Sequence, residues 1–153
     1  RRPPDTPEIV LENFKTAIEE HNVDDYMRSF ADTTFTGVPA FLFTASGDFA
    51  GLFRSWQLED ERRYFLNLGA PVSGVPFLSL TNLQQVNRGP ATTEFTMEYL
   101  LFYPHRQSST PREVKGYMHL YLQSDGQHGW SIYRWDDART VTDSTWSYLK
   151  AHF

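Results

Sequence analysis

The sequence predicts an α+β domain in which a helical N-terminal part packs against a mainly antiparallel β-sheet. Apolar residues recur at helical spacing in several segments before Leu68, and long stretches with strand-like alternation follow. The clearest strand signal is Glu113–Asp137, which has the pattern of two strands joined by a short polar turn. A hairpin with this many aromatic residues needs a covering layer, and the helices are expected to supply it.

The composition limits both the size and the chemistry of the protein. A chain of 153 residues fits one domain with a sizeable core. A formal net charge of -5 argues against a nucleic-acid-binding surface, and the absence of cysteine excludes disulfides and thiolate catalysis. No apolar run approaches the length of a membrane span. Because the sequence begins at Arg1 instead of methionine, we expect that an upstream segment was removed.

Three helices are predicted in the first half of the chain. The first is capped by Thr6 and has Pro7 at its first position, and the second begins at Asn22 and ends near Asp32. The third is predicted over Ser55–Leu68. The side chains expected on their buried faces are Val10, Phe14, Ala17, Ile18, Val23, Tyr26, Met27, Phe30, Trp56, Leu58, Phe65 and Leu68.

Strands account for most of the remaining chain. Thr33–Phe43 is predicted to be a short or edge strand, since it contains Pro39. Leu78–Val86 and Thr92–Tyr103 are two longer strand candidates that precede the hairpin. Asp143 is expected to cap a short C-terminal helix, whose buried side chains would be Trp146, Leu149 and Phe153.

The two faces of the central hairpin are predicted to have different surroundings, because side chains alternate along a strand. The more apolar face is expected to meet the helices and carries Val114, Gly116, Met118, Leu120, Leu122, Trp130 and Ile132. The opposite face is expected to point outward with Tyr117, His119, Tyr121, Tyr133 and Trp135. Arg134 and Asp136 are predicted to form a structural ion pair, and Glu59–Arg63 to be a solvated helix face.

Four stretches of the chain, Thr6–Phe30, Trp56–Leu68, Gly129–Asp137 and Thr145–Phe153, resemble the NTF2-like superfamily. The most specific feature is the W-x-I-x-R-W-x-D pattern in the third stretch, followed by the terminal TW-x-x-L-K. Within the superfamily, the chain is most similar to an uncharacterised branch of bacterial envelope lipoproteins.

The resemblance implies a cone, in which a curved sheet wraps around helices and encloses a pocket. It implies a single NTF2-like domain over residues 6–153. Residues 1–5 are basic and contain prolines, which predicts an extended arm before the domain. The resemblance also implies export to the bacterial cell envelope or the extracellular space. In such lipoproteins, a lipid-bearing cysteine stands upstream of the domain.

Enzymes of this superfamily use Asp, His and Tyr residues in the pocket as general acids and bases. By that resemblance, the catalytic candidates are Tyr26, Asp32 and Tyr99, followed by His105, His119 and Asp136. None of them lies in a catalytic motif of the superfamily, which favours a non-catalytic protein. A pocket for an apolar ligand would be lined by Phe30, Trp56, Met97 and Tyr99.

The scattered histidines lack metal-ligand spacing, and there is no glycine-rich phosphate loop. We therefore expect neither a metal nor a cofactor. The leading hypothesis is self-association, through the outward-facing aromatic residues of the hairpin and through Arg1 and Arg2 of the N-terminal arm. The alternatives are an isomerase, dehydratase or cyclase with an apolar substrate, and a carrier that binds an apolar ligand without reacting.

Overall fold

The computed structural model describes residues 1–32, 39–127, 129–142 and 144–153 as an α+β structure. Its helices are α1 (Pro7–Glu20), α2 (Val23–Arg28), α3 (Leu58–Leu68) and α4 (Trp146–Ala151). Its strands are β1 (Leu42–Thr44), β2 (Phe77–Gly89), β3 (Thr92–Phe102), β4 (Glu113–Ser124) and β5 (Trp130–Ala138). None of the helices in the described ranges is long and apolar enough to cross a membrane.

The strands form one five-stranded sheet in the order β1-β5-β4-β3-β2. Neighbouring strands are antiparallel except for β1, which pairs in parallel with β5, so the sheet is mixed. The sheet is curved, and the helices pack on its concave face. The predicted fold class, an α+β cone with N-terminal helices on a mainly antiparallel sheet, is confirmed.

The helix boundaries follow from local capping. Thr6 accepts a hydrogen bond from the backbone N–H of Ile9 at 3.2 Å, and His21 ends α1 in the left-handed conformation with φ 50°. α3 begins at Leu58 instead of the predicted Ser55, because Gln57 and Asp60 form a capping box that fixes its first turn.

Two predicted features fall partly on residues outside the described ranges. For the strand predicted over Thr33–Phe43, residues 33–38 lie outside them, and the described remainder contributes only β1 (Leu42–Thr44), at the edge of the sheet. The predicted cap Asp143 also lies outside them. Thr145 stands at the N-cap position of α4.

A β-bulge on β5 changes which side chains face the core. Tyr121 pairs with Arg134, but the next residue, Leu122, pairs with Ile132, so Tyr133 is an extra residue on β5. Alternation is therefore interrupted, and both Ile132 and Trp135 point inward with 0% exposure. The prediction that Trp135 lies on the outer face is wrong, because the bulge shifts the phase of the strand by one residue.

The core lies between the helices and the concave face of the sheet, and Phe14 of α1 is at its centre. The Phe14 ring contacts Trp135 at 5.4 Å, Tyr26 at 5.9 Å and Trp146 at 5.9 Å between centroids. These contacts join both N-terminal helices, the sheet and the C-terminal helix. Six of the side chains predicted to be buried are buried: Phe14, Ile18, Phe30, Phe65, Leu120 and Ile132. Five others are only half-buried: Val23, Met27, Trp56, Leu58 and Phe153.

Replacing Phe14 with Ala should lower the free energy of unfolding by about 3–5 kcal/mol, since it leaves a cavity among rigid aromatic neighbours. Urea denaturation followed by circular dichroism measures this change. Thr16→Ala, at an exposed position on the same helix, is the control and should change stability by less than about 0.5 kcal/mol. Equal effects of the two substitutions would contradict the central position of Phe14.

Candidate functional site

A buried ion pair lies inside the cone between α3 and α4. The Nζ atom of Lys150 donates to both carboxylate oxygens of Glu61, with 2.9 Å to Oε2. The side chains of both residues have 0% exposure. Glu61 faces inward because it shares one side of α3 with Tyr64, Phe65 and Leu68. The predicted solvated face of α3 therefore does not include Glu61.

Aromatic rings surround the ammonium group of Lys150. Its Nζ atom lies 3.6 Å from the ring centroids of Phe43 and Trp135 and 5.3 Å from that of Tyr64. The negative face of an aromatic ring attracts a cation, and the attraction is stronger where water is excluded. We call Glu61, Phe43, Tyr64 and Trp135 the ammonium cage. Burial lowers the pKa of Lys150 to about 8, although the Glu61 carboxylate acts in the opposite direction.

Hydrogen bonds from other elements orient the Glu61 carboxylate. The indole Nε1 of Trp56 donates to its Oε2 at 2.9 Å, and the Tyr26 hydroxyl lies 3.4 Å from its Oε1. Tyr26 and Tyr64 share a hydrogen bond of 2.7 Å, and Trp146 Nε1 donates to the Tyr64 hydroxyl at 3.0 Å. Burial and the nearby carboxylate raise the pKa of Tyr26 and Tyr64 well above the ordinary value, so both phenols remain protonated donors.

A second buried carboxylate, Asp137 at the end of β5, anchors the start of α4. Its Oδ2 accepts from the backbone N–H of Ser147 at 2.8 Å and from the Ser147 hydroxyl, while the Tyr99 hydroxyl donates to Oδ1 at 2.6 Å. Tyr99 also accepts from the backbone N–H of Trp146 at 2.8 Å. Burial raises the pKa of Asp137 despite these hydrogen bonds. Gly116 leaves room for the Tyr99 ring, because a Cβ there would lie 2.9 Å from its hydroxyl.

The convex face of the sheet carries a second cluster of aromatic and charged side chains. His119 Nε2 is hydrogen-bonded to Glu94 Oε1 at 2.7 Å, and its ring stacks on Tyr121 at 4.0 Å between centroids. Arg134 lies over the Tyr121 ring at 4.9 Å and pairs with Asp136 at 2.9 Å. The predicted ion pair between Arg134 and Asp136 is therefore present. We call this surface the outer sheet face, formed by Arg88, Glu94, Glu98, Lys115, Tyr117, His119, Tyr121, Tyr133, Arg134 and Asp136.

An open groove of about 820 Å³ lies at one end of the cone. Its apolar lining comes from Pro4, Met27, Phe30, Leu58 and Trp130. Its rim carries both acidic and basic side chains. Asp32 lies in this rim and is exposed. In the described ranges, no group of three histidine or carboxylate side chains is arranged to hold a metal ion.

This architecture matches solved structures over most of the chain. A ketosteroid isomerase-like protein from Erwinia carotovora has a TM-score of 0.60 at 9% identity, covering 88% of this chain and 94% of its own. A candidate dehydratase of the NTF2-like family from Streptomyces avermitilis has a TM-score of 0.60 at 13% identity, with 88% and 94% covered. The chain has the NTF2-like fold.

A candidate association domain of the calcium/calmodulin-dependent protein kinase II type, from Thiobacillus denitrificans, shares this fold with a TM-score of 0.57. The two sequences are 14% identical, and the match covers 92% of this chain and 99% of that one. No protein-family model and no curated protein matches the sequence. At these identities, the likeness establishes the NTF2-like fold and leaves the function of this chain to its own residues.

The catalytic candidates occupy different environments in the NTF2-like cone. Tyr26 and Tyr99 are buried, and their hydroxyls are bonded to protein groups, including the carboxylates of Glu61 and Asp137. Asp32 lies apart from them at the groove. His105 is also buried, with Nδ1 accepting from the Gln107 N–H and Nε2 bonded to the Pro111 carbonyl. The Tyr26 and Tyr99 hydroxyls and the His105 ring therefore have hydrogen-bond partners within the domain.

The four residues predicted to line a ligand pocket lie in different surroundings within the described part of the chain. Phe30 lines the groove, whereas Met97 and Tyr99 are buried in the core. Trp56 is half-buried and is bonded to Glu61. The interior of the cone is filled by aromatic rings and by the buried side chains of α4, which explains this separation.

The N-terminal arm is bound to its own domain. Asn13 makes two hydrogen bonds with the backbone of Arg2, at 2.8 and 3.1 Å, and the Trp130 N–H donates to the Pro4 carbonyl at 2.8 Å. These groups satisfy the backbone of the arm, which therefore packs on its own domain. The side chains of Arg1 and Arg2 are exposed, and their contact with another subunit stays a prediction.

The residues that sequence reasoning missed are Glu61, Lys150 and Asp137. For the first two, a signal was present in the helical spacing. Glu61 occupies a position of the apolar stripe that continues through Tyr64, Phe65 and Leu68, and Lys150 follows Leu149 on the side that also carries Trp146. Two opposite charges on buried stripes predict a buried pair, since each needs a partner.

Removing one member of the buried pair should be costly. We expect Glu61→Gln to destabilise the protein by about 3–5 kcal/mol, because it leaves the Lys150 ammonium without its counter-charge. Denaturant unfolding of the single variant and of Glu61→Leu/Lys150→Met measures this, and the double variant should be more stable than Glu61→Gln. Lys15→Met, which breaks the partly exposed Lys15–Glu19 pair, is the control and should cost less than about 1 kcal/mol. A comparable loss in Glu61→Gln and Lys15→Met would contradict the buried pair.

Stability should depend on pH through Lys150. Its pKa is about 8 in the folded protein, whereas the ordinary pKa of lysine, which we take for the unfolded chain, is 10.5. Between these values the unfolded chain binds more protons, so the lysine contributes an increase in stability as pH rises. Relative to Glu61→Leu/Lys150→Met, the wild-type free energy of unfolding should increase between pH values of about 8 and 9.5, below the ordinary tyrosine range. A difference that stays constant or falls would show that the lysine pKa is not lowered.

Proposed function

We propose that this chain is a non-catalytic NTF2-like domain that associates with a second copy of itself through the outer sheet face. The observation that carries the proposal is the combination of exposed and half-buried aromatic rings with charges of both signs on the central strands. Tyr117 is 50% exposed, and Tyr121 and Tyr133 extend the aromatic surface across β4 and β5. Tyrosine supplies a large contact area at a low cost in conformational entropy.

The distribution of charge on the outer sheet face suits an identical partner. Glu94, Glu98 and Asp136 lie among Arg88, Lys115 and Arg134, so a two-fold axis through the face can bring unlike charges together. A face of one sign would instead repel its own copy. The strands beneath are paired along their length, which makes the surface a rigid platform.

The interior of the cone supports a non-catalytic role. The buried carboxylates of Glu61 and Asp137 are hydrogen-bonded within the domain, and the Tyr26, Tyr64 and Tyr99 hydroxyls are engaged in the same bonds. A general acid or base must reach its substrate. Association as the role also agrees with the kinase-type association domains among the structures of similar fold.

The oligomeric state tests the proposal directly. By size-exclusion chromatography with light scattering, the wild-type protein should have twice the 17.8 kDa chain mass. Tyr117→Lys should weaken the dimer by at least about tenfold, because it places an ammonium at the centre of the contact. Leu66→Lys is the matched control: Leu66 is also 50% exposed, but it lies on α3.

A monomeric wild-type protein at the highest soluble concentration would contradict self-association. Equal weakening by Tyr117→Lys and Leu66→Lys would contradict the outer sheet face as the contact. Circular dichroism of both variants checks that the fold is retained.

A second candidate function is the binding of a small apolar ligand, and the groove favours it. Phe30 and Trp130 supply aromatic surface there, in a volume that fits a small molecule. Native mass spectrometry of protein from its source organism would reveal a bound molecule. If no molecule is bound, and if added apolar acids and alcohols leave the melting temperature unchanged, the protein is not a carrier. The same result would argue against an enzyme at the groove, because an enzyme must also bind its substrate there.

We also propose, from the sequence resemblance alone, that the protein is exported to the cell envelope or beyond. Fractionation of the source bacterium tests this. Recovery of the protein in the cytoplasmic fraction would contradict export.

A further inference from the structure

The ammonium cage is built from three separate parts of the fold. Phe43 comes from β1, Glu61 and Tyr64 from α3, and Trp135 from β5. Its occupant, Lys150, comes from a fourth part, the six-residue helix α4. The cage and its occupant are thus distinct pieces of the chain, and 89 residues separate Lys150 from Glu61.

The walls of the cage are held by contacts that do not involve Lys150. Phe43 packs against Phe53 at 5.0 Å and against Trp135 at 5.3 Å between ring centroids. Trp135 also packs against Phe14 at 5.4 Å. The rings therefore retain their positions when the lysine side chain is taken away, because each has neighbours on other elements.

The carboxylate in the cage is also oriented independently of Lys150. The indole of Trp56 donates to Glu61 at 2.9 Å, and the Tyr26 hydroxyl approaches its other oxygen. Together these groups hold one negative charge opposite aromatic faces in a space closed to water. That combination favours an alkylammonium ion, whose charge meets the carboxylate and the rings and whose hydrocarbon part meets apolar walls.

We propose that the ammonium cage is a binding site for primary alkylammonium ions, which the chain fills with its own Lys150. The Lys150 side chain occupies the site, so a free ion of this class binds only where that side chain is absent. The site differs from the groove and from the outer sheet face, and the proposal does not depend on self-association.

A chemical-rescue experiment on Lys150→Ala tests the proposal. The atoms that this substitution removes beyond Cβ are those of n-propylammonium, which is therefore the probe. Its addition should raise the melting temperature of Lys150→Ala by several degrees at about a hundredfold excess over Kd. 1-Propanol, which has the same shape without the charge, should give a much smaller rise at equal concentration.

Matched variants separate the cage from general solvent effects. Lys150→Met fills the same space with an uncharged side chain, and Lys150→Ala/Glu61→Gln removes the carboxylate charge. Neither variant should respond to n-propylammonium more than to 1-propanol, and nor should the wild-type protein, in which Lys150 occupies the site. If Lys150→Ala does not fold unaided, its refolding yield with each compound becomes the measurement.

The result expected is a response to n-propylammonium that is specific to Lys150→Ala. An equal response to both compounds, no response, or the same response in Lys150→Met would each overturn the proposal.

Discussion

The ion pair between Lys150 and Glu61 is the constraint on which the rest of the interior depends. Two charges without access to water require partners on every side, since an unpaired buried charge costs several kcal/mol. The hydrogen bonds from Trp56 and Tyr26 and the rings of Phe43 and Trp135 meet that requirement. Because these groups come from helices, strands and a loop, the pair lies where the layers of the cone meet.

The same pair determines what the cone can do. An NTF2-like cone with an open interior offers a chamber in which acids and bases can face a substrate. Here α4 brings Trp146, Leu149 and Lys150 into that chamber, and the polar groups lining it bond to α4. With Lys150 in place, these bonds stabilise the fold, and the groove and the outer sheet face are the surfaces where we propose contacts with other molecules.

The sequence predicted the layers of the fold more successfully than its buried polar groups. Periodicity located α1 and the long strands, because one side of each is apolar, and Phe14 and Leu120 could be assigned to the core on that basis. The pair of Glu61 and Lys150 was missed because charged residues on a helix are usually solvated. Asp137 is the last residue of the W-x-I-x-R-W-x-D pattern, but only the folded chain brings it to Ser147 and Tyr99.

The bulge at Tyr133 connects the interior of the domain with its surface. Strict alternation would place Trp135 on the same side as Tyr133, away from the cage. One extra residue on β5 instead turns Trp135 toward Lys150 and leaves Tyr133 and Arg134 beside Tyr121 on the outer sheet face. A single irregularity thus supplies one wall of the ammonium cage and part of the proposed interface. Removing it would change both sides of the sheet at once, because a shift by one residue exchanges the faces of every side chain beyond it.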